Sequence, residues 1–159
     1  MTEYALPGNQ TFMDELVRIT ERSLHMRPVV EATLDVFKLI ENEKFQQEGP
    51  GWAPLAEATV AFKQANDFPD STLMRTGALW KSMIGVSDFT EVFGNYGWAY
   101  TSTIDHAWEH QEGTSRMPAR PIVDLKPDVI LLFVAMMEAY LVTGAVKRVG
   151  PGDVSGVNL

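Results

Sequence analysis

The stretch TEVFGNYGWAYTSTI, residues 90–104, decides the fold of this chain. Thr90–Phe93 and Trp98–Ile104 are rich in aromatic and β-branched residues, which favour strands, and Gly94–Gly97 between them has the composition of a turn. Upstream, Leu79–Val86 carries apolar residues at a spacing that we interpret as a further strand. The centre of the chain is therefore predicted to be an antiparallel meander of about three strands, or alternatively four.

The segments on both sides of this meander have the pattern of helices. A first helix is expected from Thr11, as its N-cap, to about Leu24, and a second from Pro28 to about Gln47, since proline suits the first turn of a helix. A short helix should cover Ala56 to about Gln64, and a last one should run from Asp128 to about Val142 with Pro127 in its first turn. The sequence thus predicts an α+β fold, in which N-terminal helices and one C-terminal helix pack on a small antiparallel sheet.

Charged side chains are frequent along the second predicted helix. Opposite charges lie three residues apart there, which is typical of a solvated helix face. We therefore expect no functional site among Asp35, Lys38, Glu41, Asn42, Glu43 and Lys44.

The size and composition of the chain indicate one domain. It has 159 residues, 45% of them hydrophobic, which is enough for a substantial core. We place this domain at residues 1–149, and the glycine-rich end at 150–159 has the composition of a flexible arm or of an arm held by a partner. The sequence contains no cysteine, which excludes disulfides and thiolate chemistry.

The charge balance limits the classes of partner. Asp and Glu number 21 against 13 Lys and Arg, which gives a formal charge of −8. Such a charge disfavours binding to nucleic acid or to an anionic membrane surface, although it suits a channel wall past which DNA slides. The first residues lack the basic and apolar regions of a secretory signal, so synthesis in the cytoplasm is expected.

The longest apolar run is Val129–Met137, in the last predicted helix. Its nine residues are too few to span a bilayer, and no transmembrane helix is expected. Its side chains cover every side of the helix, whereas one small sheet covers only part of a helix surface. We therefore predict that a neighbouring subunit covers the rest, with an interface made of Val129, Leu132, Phe133, Met136 and Met137.

Short motifs in a fixed order carry most of the functional information. They are Phe45-Gln46-Gln47-Glu48-Gly49, Trp52-Ala53-Pro54-Leu55, Thr76-Gly77-Ala78-Leu79, His110-Gln111-Glu112-Gly113-Thr114 and Pro118-Ala119-Arg120-Pro121. They are rich in residues that fix backbone shape or fill a core, and none supplies an obvious nucleophile, base or phosphate cradle. The structural residues that we assign in them are Phe45, Trp52, Pro54, Leu55, Thr76, Gly77, Leu79, His110, Gly113, Pro118, Arg120 and Pro121.

Several of these residues have specific expected roles. Trp52 should lie in the core, and Gly77 should set the turn into the sheet with Thr76 capping it. Gly113 should turn the chain before the segment that contains Arg120. For Arg120 we considered a DNA contact and a buried ion pair, and the negative charge of the chain favours the ion pair.

In this order the motifs resemble the virion-morphogenesis family of tailed bacteriophages, which contains tail-completion and head-tail joining proteins. The resemblance covers roughly residues 28–141. It implies a structural protein without catalytic activity, cofactor or metal, which forms a ring, six-fold by analogy with tail architecture. It also implies the tail tube protein and head-side connector proteins as partners, and assembly into the virion in the host cytoplasm.

Two other functions remain as alternatives. His106-Ala107-Trp108-Glu109-His110 spells H-x-x-E-H, a zinc-peptidase motif in which two histidines bind the metal and the glutamate acts as general base. Glu138 is the candidate third ligand. We interpret the segment instead as lying on or beside a strand, which would separate the histidines. The second alternative is a monomeric binding module.

Overall fold

The computed structural model describes residues 8–49, 51–150 and 154. The helices in this part of the chain are α1 (Asn9–Leu24), α2 (Arg27–Gln46), α3 (Glu57–Ala65), α4 (Ala78–Met83), α5 (Ala107–Glu112) and α6 (Pro127–Thr143), and the strands are β1 (Phe89–Phe93) and β2 (Trp98–Ser102). The predicted α+β fold is confirmed.

The sheet is a single antiparallel hairpin among the described residues. Its register runs from Phe89 opposite Ser102 to Phe93 opposite Trp98. The Gly94 amide donates to the Gly97 carbonyl over 2.8 Å and closes the predicted turn. The predicted strand count was too high, because the described residues form two strands where we predicted three or four.

The missing strand is helix α4. Gly77 has φ of 72° and starts this helix, and Ala78, Leu79, Lys81 and Met83 are strong helix formers. The prediction of a strand over Leu79–Val86 was therefore wrong. In so short a segment the spacing of the apolar residues fits the period of a helix as well as that of a strand. The left-handed conformation of Gly77 starts the helix.

Helix α2 is the centre of the molecule and contributes to two cores. The first core joins α2 to α6, and the second joins α2 to α4 and the segment around residue 122. Phe93, Trp98 and Phe133 pack against both. The first consists of Met26, Val29, Val30, Val36, Ile40, Val129, Met136, Tyr140 and Val154, and the second of Leu34, Phe37, Phe45, Leu79, Met83 and Ile122.

The predicted solvated face of α2 is partly buried. Glu41 is 0% exposed and Lys44 is 4% exposed. The Lys44 Nζ donates to the Glu41 Oε1 over 2.7 Å and to the Ile122 carbonyl over 2.6 Å. Asp35 is exposed as expected. The prediction was wrong for Glu41 and Lys44, because the chain after α5 returns over this part of the helix.

Helix α1 lies almost entirely on the surface. None of its 16 residues is buried. Within the described residues, hydrogen bonds join its C-terminal end to the rest of the chain: Arg22 Nη1 donates to the Leu141 and Val142 carbonyls over 2.7 Å each, and the Asn95 side-chain amide donates to the Leu24 carbonyl over 2.9 Å. The helix begins at Asn9, with Gly8 rather than Thr11 as its N-cap.

Helix α6 begins at Pro127, one residue before the predicted start, and its interface residues were assigned in part wrongly. Val129 and Met136 are 1% and 5% exposed because they lie in the first core of their own chain. Leu132, Phe133 and Met137 are partly buried against the same core. The exposed apolar residues of α6 are Ile130, Leu131, Val134 and Val142, at 44–64%.

The C-terminal arm is described at two positions. Val154 is 1% exposed and belongs to the first core, and Gly150 is partly buried. The remainder of the arm predicted at 150–159 lies outside the described residues. Among the helices of the described ranges, none is long and apolar enough to cross a membrane.

Candidate functional site

Arg120 joins three of the sequence motifs. Its side chain is 5% exposed, and its Nε and Nη2 donate to the Ala53 and Pro54 carbonyls over 2.8 and 3.0 Å. Its backbone amide donates to the His110 carbonyl over 2.7 Å. Within the described residues no carboxylate lies at ion-pair distance from Arg120. Arg120 is thus a buried structural arginine, but the predicted salt bridge was wrong because backbone carbonyls bind the guanidinium.

Trp52 connects the earliest motif to the last. Its Nε1 donates to the Pro121 carbonyl over 2.8 Å, and its ring meets Phe45 edge-on at 5.4 Å between ring centroids. Gly49 has φ of 64°, and a Cβ there would lie 1.8 Å from the indole. The glycine therefore makes room for the indole. Trp52 is only partly buried, so the core prediction holds in part.

Gln111 has a role that the sequence reasoning missed. Its Oε1 accepts from the Ile122 and Val123 amides over 2.8 and 3.0 Å, and its Nε2 donates to the Val123 carbonyl over 3.0 Å. A side chain that binds a remote backbone segment at three points substitutes for a strand partner. The only signal for this role in the sequence was the position of Gln111 in the motif that begins at His110.

Glycines set the ends of the two short helices. Gly77 starts α4, so the prediction that it sets the turn into the sheet was wrong; the Ala78 amide donates to Thr76 Oγ1 over 3.4 Å across this turn. Gly113 ends α5 with φ of 77° and ψ of 174°, and it turns the chain toward Arg120 as predicted. A Cβ at Gly113 would lie 2.6 Å from the Ala119 nitrogen.

The H-x-x-E-H segment is helical. Helix α5 starts after His106, and the ring centroids of His106 and His110 are 5.5 Å apart. The prediction that the segment lies on or beside a strand was wrong. Within the described residues, however, no group of three or more His, Cys, Asp and Glu side chains is arranged to hold a metal ion.

His110 is held in a way that disfavours its charge. Its Nδ1 is buried and has no hydrogen-bond partner among the described residues. Burial, followed by the neighbouring His106 and Arg120, lowers the pKa of His110 from its usual range, and Glu109 opposes this effect. The imidazole is therefore neutral near neutral pH.

Several of these motifs line a surface cavity of about 720 Å³, which we call the cleft. Its apolar walls include Leu55, Phe62, Met74 and Met117. The motif residues on its surface are Pro54, Leu55, Thr76, Gly77, Leu79, His110, Pro118 and Arg120, whereas Phe45, Trp52, Gly113 and Pro121 do not line it.

The cleft is basic although the chain is acidic. Its lining contains four cationic side chains, Lys63, Arg75, Arg116 and Arg120, and a single carboxylate, Glu109. Lys63 is 4% exposed and donates to the Ser71 carbonyl over 2.6 Å, and burial lowers its pKa. Arg75 and Arg116 are exposed at the surface. The arrangement suits an anionic group that is attached to an apolar body.

Comparison with known proteins adds no relative to this description. No protein-family model matches the chain, and no curated protein or solved structure gives a match.

Proposed function

We propose that this protein is a non-catalytic structural subunit of a tailed-phage virion, a ring-forming tail-completion or tail-terminator protein at the head-tail junction. The observation that carries the proposal is the convergence of the motifs around Arg120. Arg120 and Trp52 donate to backbone carbonyls from 66 to 69 residues away in sequence. Motif residues that fasten distant backbone segments define a shape, which is what a family of virion subunits would share.

The surface of the molecule supports assembly. On α6, Leu131 and Val142 are 64% and 63% exposed, and on α1 Phe12 is 60% exposed. Contiguous exposed apolar patches are rare on monomeric proteins and mark interaction sites, so large apolar side chains exposed on these two helices are compatible with assembly. Further copies of the chain, the tail tube protein and head-side connector proteins are the proposed partners.

The charge of the chain is compatible with a ring that encloses DNA. A formal charge of −8 repels the phosphate backbone, so DNA would pass through the ring without binding to it. The proposed location is the neck of the virion, after assembly in the host cytoplasm.

The zinc-peptidase alternative is favoured by one observation, the helical conformation of α5. A helix presents two histidines four residues apart on the same face, as that motif requires. The absence of a third suitable ligand among the described residues counts against it. His106 and Glu109 are both exposed, so they are suitable positions for a test.

The test is complementation of a phage whose copy of this gene is interrupted. We expect the defective phage to accumulate filled heads and unjoined tails, and the intact protein to restore joined, infectious particles. Electron microscopy with a labelled protein should place it at the neck. Normal particles from the interrupted phage would contradict the proposal.

The same assay separates the structural role from the peptidase. The variant His106→Ala/Glu109→Gln removes one metal ligand and the general base of the motif, but both side chains are on the surface. We expect it to restore particles at the parental titre. A complete loss of titre, with the variant folded and abundant, would favour the peptidase.

A further inference from the structure

Helix α1 carries an apolar stripe that the described part of the chain leaves exposed. The stripe consists of Phe12, Met13, Leu16 and Val17, which are 60%, 48%, 41% and 53% exposed. These residues are three or four positions apart and therefore share one side of the helix. The hydrogen bonds from α1 to the rest of the described residues are made at its C-terminal end, by Arg22 and Leu24, whereas the stripe lies toward its N-terminal end.

Two carboxylates border this stripe. Asp14 and Glu21 are seven residues apart, about two helical turns, so they lie along the same edge of α1. Neither forms an ion pair within the described part of the chain. The Asp14 Oδ1 accepts one hydrogen bond, from Gln10 over 2.9 Å. Arg18 lies between them on this edge but pairs with Glu15 over 3.3 Å, so Asp14 and Glu21 are the charges that remain without an ion pair beside the stripe in the described residues.

The cleft has the complementary character. Leu55, Phe62, Met74 and Met117 provide apolar walls. Arg75 and Arg116 are exposed and have no ion-pair partner among the described residues. No residue of α1 lines the cleft, so within the described residues this helix does not fill the cleft of its own chain.

We propose that the cleft binds helix α1 of a second copy of this chain, with Asp14 and Glu21 facing Arg75 and Arg116. The inference rests on the proposed function as a self-assembling subunit and names the contact that forms the ring. The stripe and the cleft are different surfaces, so the contact is head-to-tail. Such contacts close into a ring when the rotation between subunits allows it.

Charge reversal tests this pairing. The helix variant is Asp14→Arg/Glu21→Arg, and the cleft variant is Arg75→Glu/Arg116→Glu. Each places like charges across the contact, and we expect each to raise the dissociation constant of self-association on the order of tenfold or more, measured by sedimentation velocity. The chain with all four changes restores opposite charges and should associate within a few-fold of the parent. An equimolar mixture of the two variants should recover association in the same way.

A matched control reports on charge alone. Lys147→Glu/Arg148→Glu makes the same change in net charge at two exposed positions outside the cleft, and it should leave association unchanged. The inference is overturned if this control weakens association as much as the cleft variant does, or if the four-fold variant stays as defective as its parents. It is also overturned if Leu131→Glu on α6 dissociates the assembly while the charge variants have no effect.

Disulfide cross-linking detects the proposed contact even where self-association is weak. The chain contains no cysteine, so Phe12→Cys/Leu55→Cys introduces one thiol on the stripe and one in the cleft. Oxidation of a head-to-tail assembly should give a ladder of multimers, whereas each single variant gives none. Dimers alone, or no cross-link in concentrated protein, would overturn the inference. The position of the labelled protein in the virion tests the proposed function separately. If the protein lies at the neck but its self-association is unaffected by the charge changes, only this contact is contradicted.

Discussion

Arg120 is the side chain on which the motif cluster depends. Its planar guanidinium donates to two successive carbonyls, Ala53 and Pro54, which a single ammonium cannot reproduce. Arg120→Lys keeps the charge but leaves one of these partly buried carbonyls without its donor, and we expect a loss of about 1 kcal/mol in the free energy of unfolding. Urea denaturation measures it.

Arg116→Lys is the control for this change. Arg116 lies on the same segment, is exposed, and its side chain has no hydrogen bond within the described residues, so its replacement should leave the urea midpoint unchanged. Equal midpoints for the two variants and the parent would mean that the carbonyl bonds of Arg120 do not stabilise the fold.

Glu41 should make stability depend on pH. Burial raises its pKa from 4.5 to about 7; Lys44 opposes this shift and Asp124 adds to it. Between these two values the folded chain binds more protons at Glu41 than the unfolded chain does. The contribution of this group is thus complete below pH 4.5 and is lost as the pH rises through about 7.

Glu41→Gln removes this titration. From about pH 4 to about pH 8, we expect the unfolding free energy of the variant to rise relative to that of the parent by roughly 3 kcal/mol. Since only Glu41 differs, the opposite effect of His110, whose pKa is lowered, cancels in the comparison. Parallel stability curves for the two proteins would contradict the prediction.

The two helix-terminal glycines differ in what they tolerate. Gly77 and Gly113 both have positive φ, but a Cβ at Gly77 would be 3.7 Å from its nearest neighbour and one at Gly113 would be 2.6 Å from backbone. Gly77→Ala should cost about 1 kcal/mol from backbone strain, and Gly113→Ala about 3 kcal/mol because a clash is added. Gly97→Ala, with open space around it, is the control. Thermal unfolding in the reverse order would contradict the geometry.

Local sequence signals predicted some elements and misassigned others. The β1-β2 hairpin was predictable because strand-forming residues and turn residues stand next to each other in the sequence. Helices α4 and α5 were missed because six-residue segments are too short for a period to be recognised. In α5 the sequence context was also misleading, since the segment closely follows a strand.

Long-range contacts could not be derived from the sequence. The burial of Arg120 was predicted, but its partners, Ala53 and Pro54, are 67 and 66 residues away and become neighbours only in the fold. The same is true of Glu41 and Lys44, which have the spacing of a surface pair and are buried by the segment at Ile122. The cleft depends on this arrangement, so it was not among the sequence predictions.

The described part of the chain is organised as two cores that share helix α2. Ile40 of α2 lies in the first core, whereas Phe37 and Phe45 of the same helix lie in the second. Phe93 and Trp98 pack against both cores. Because α2 contributes residues to both cores along its length, its unfolding would expose both cores at once. The chain should therefore unfold as a single cooperative unit.

One substitution in each core tests this coupling. Ile40→Ala and Met83→Ala each remove buried side-chain volume and should cost about 3 kcal/mol. We expect both variants to shift one common transition, with tryptophan fluorescence and far-ultraviolet circular dichroism giving the same midpoint. If Ile40→Ala instead gives different midpoints by fluorescence and by circular dichroism, and one of them equals the parental midpoint, the two cores unfold independently. Residues 1–149 then do not form one domain.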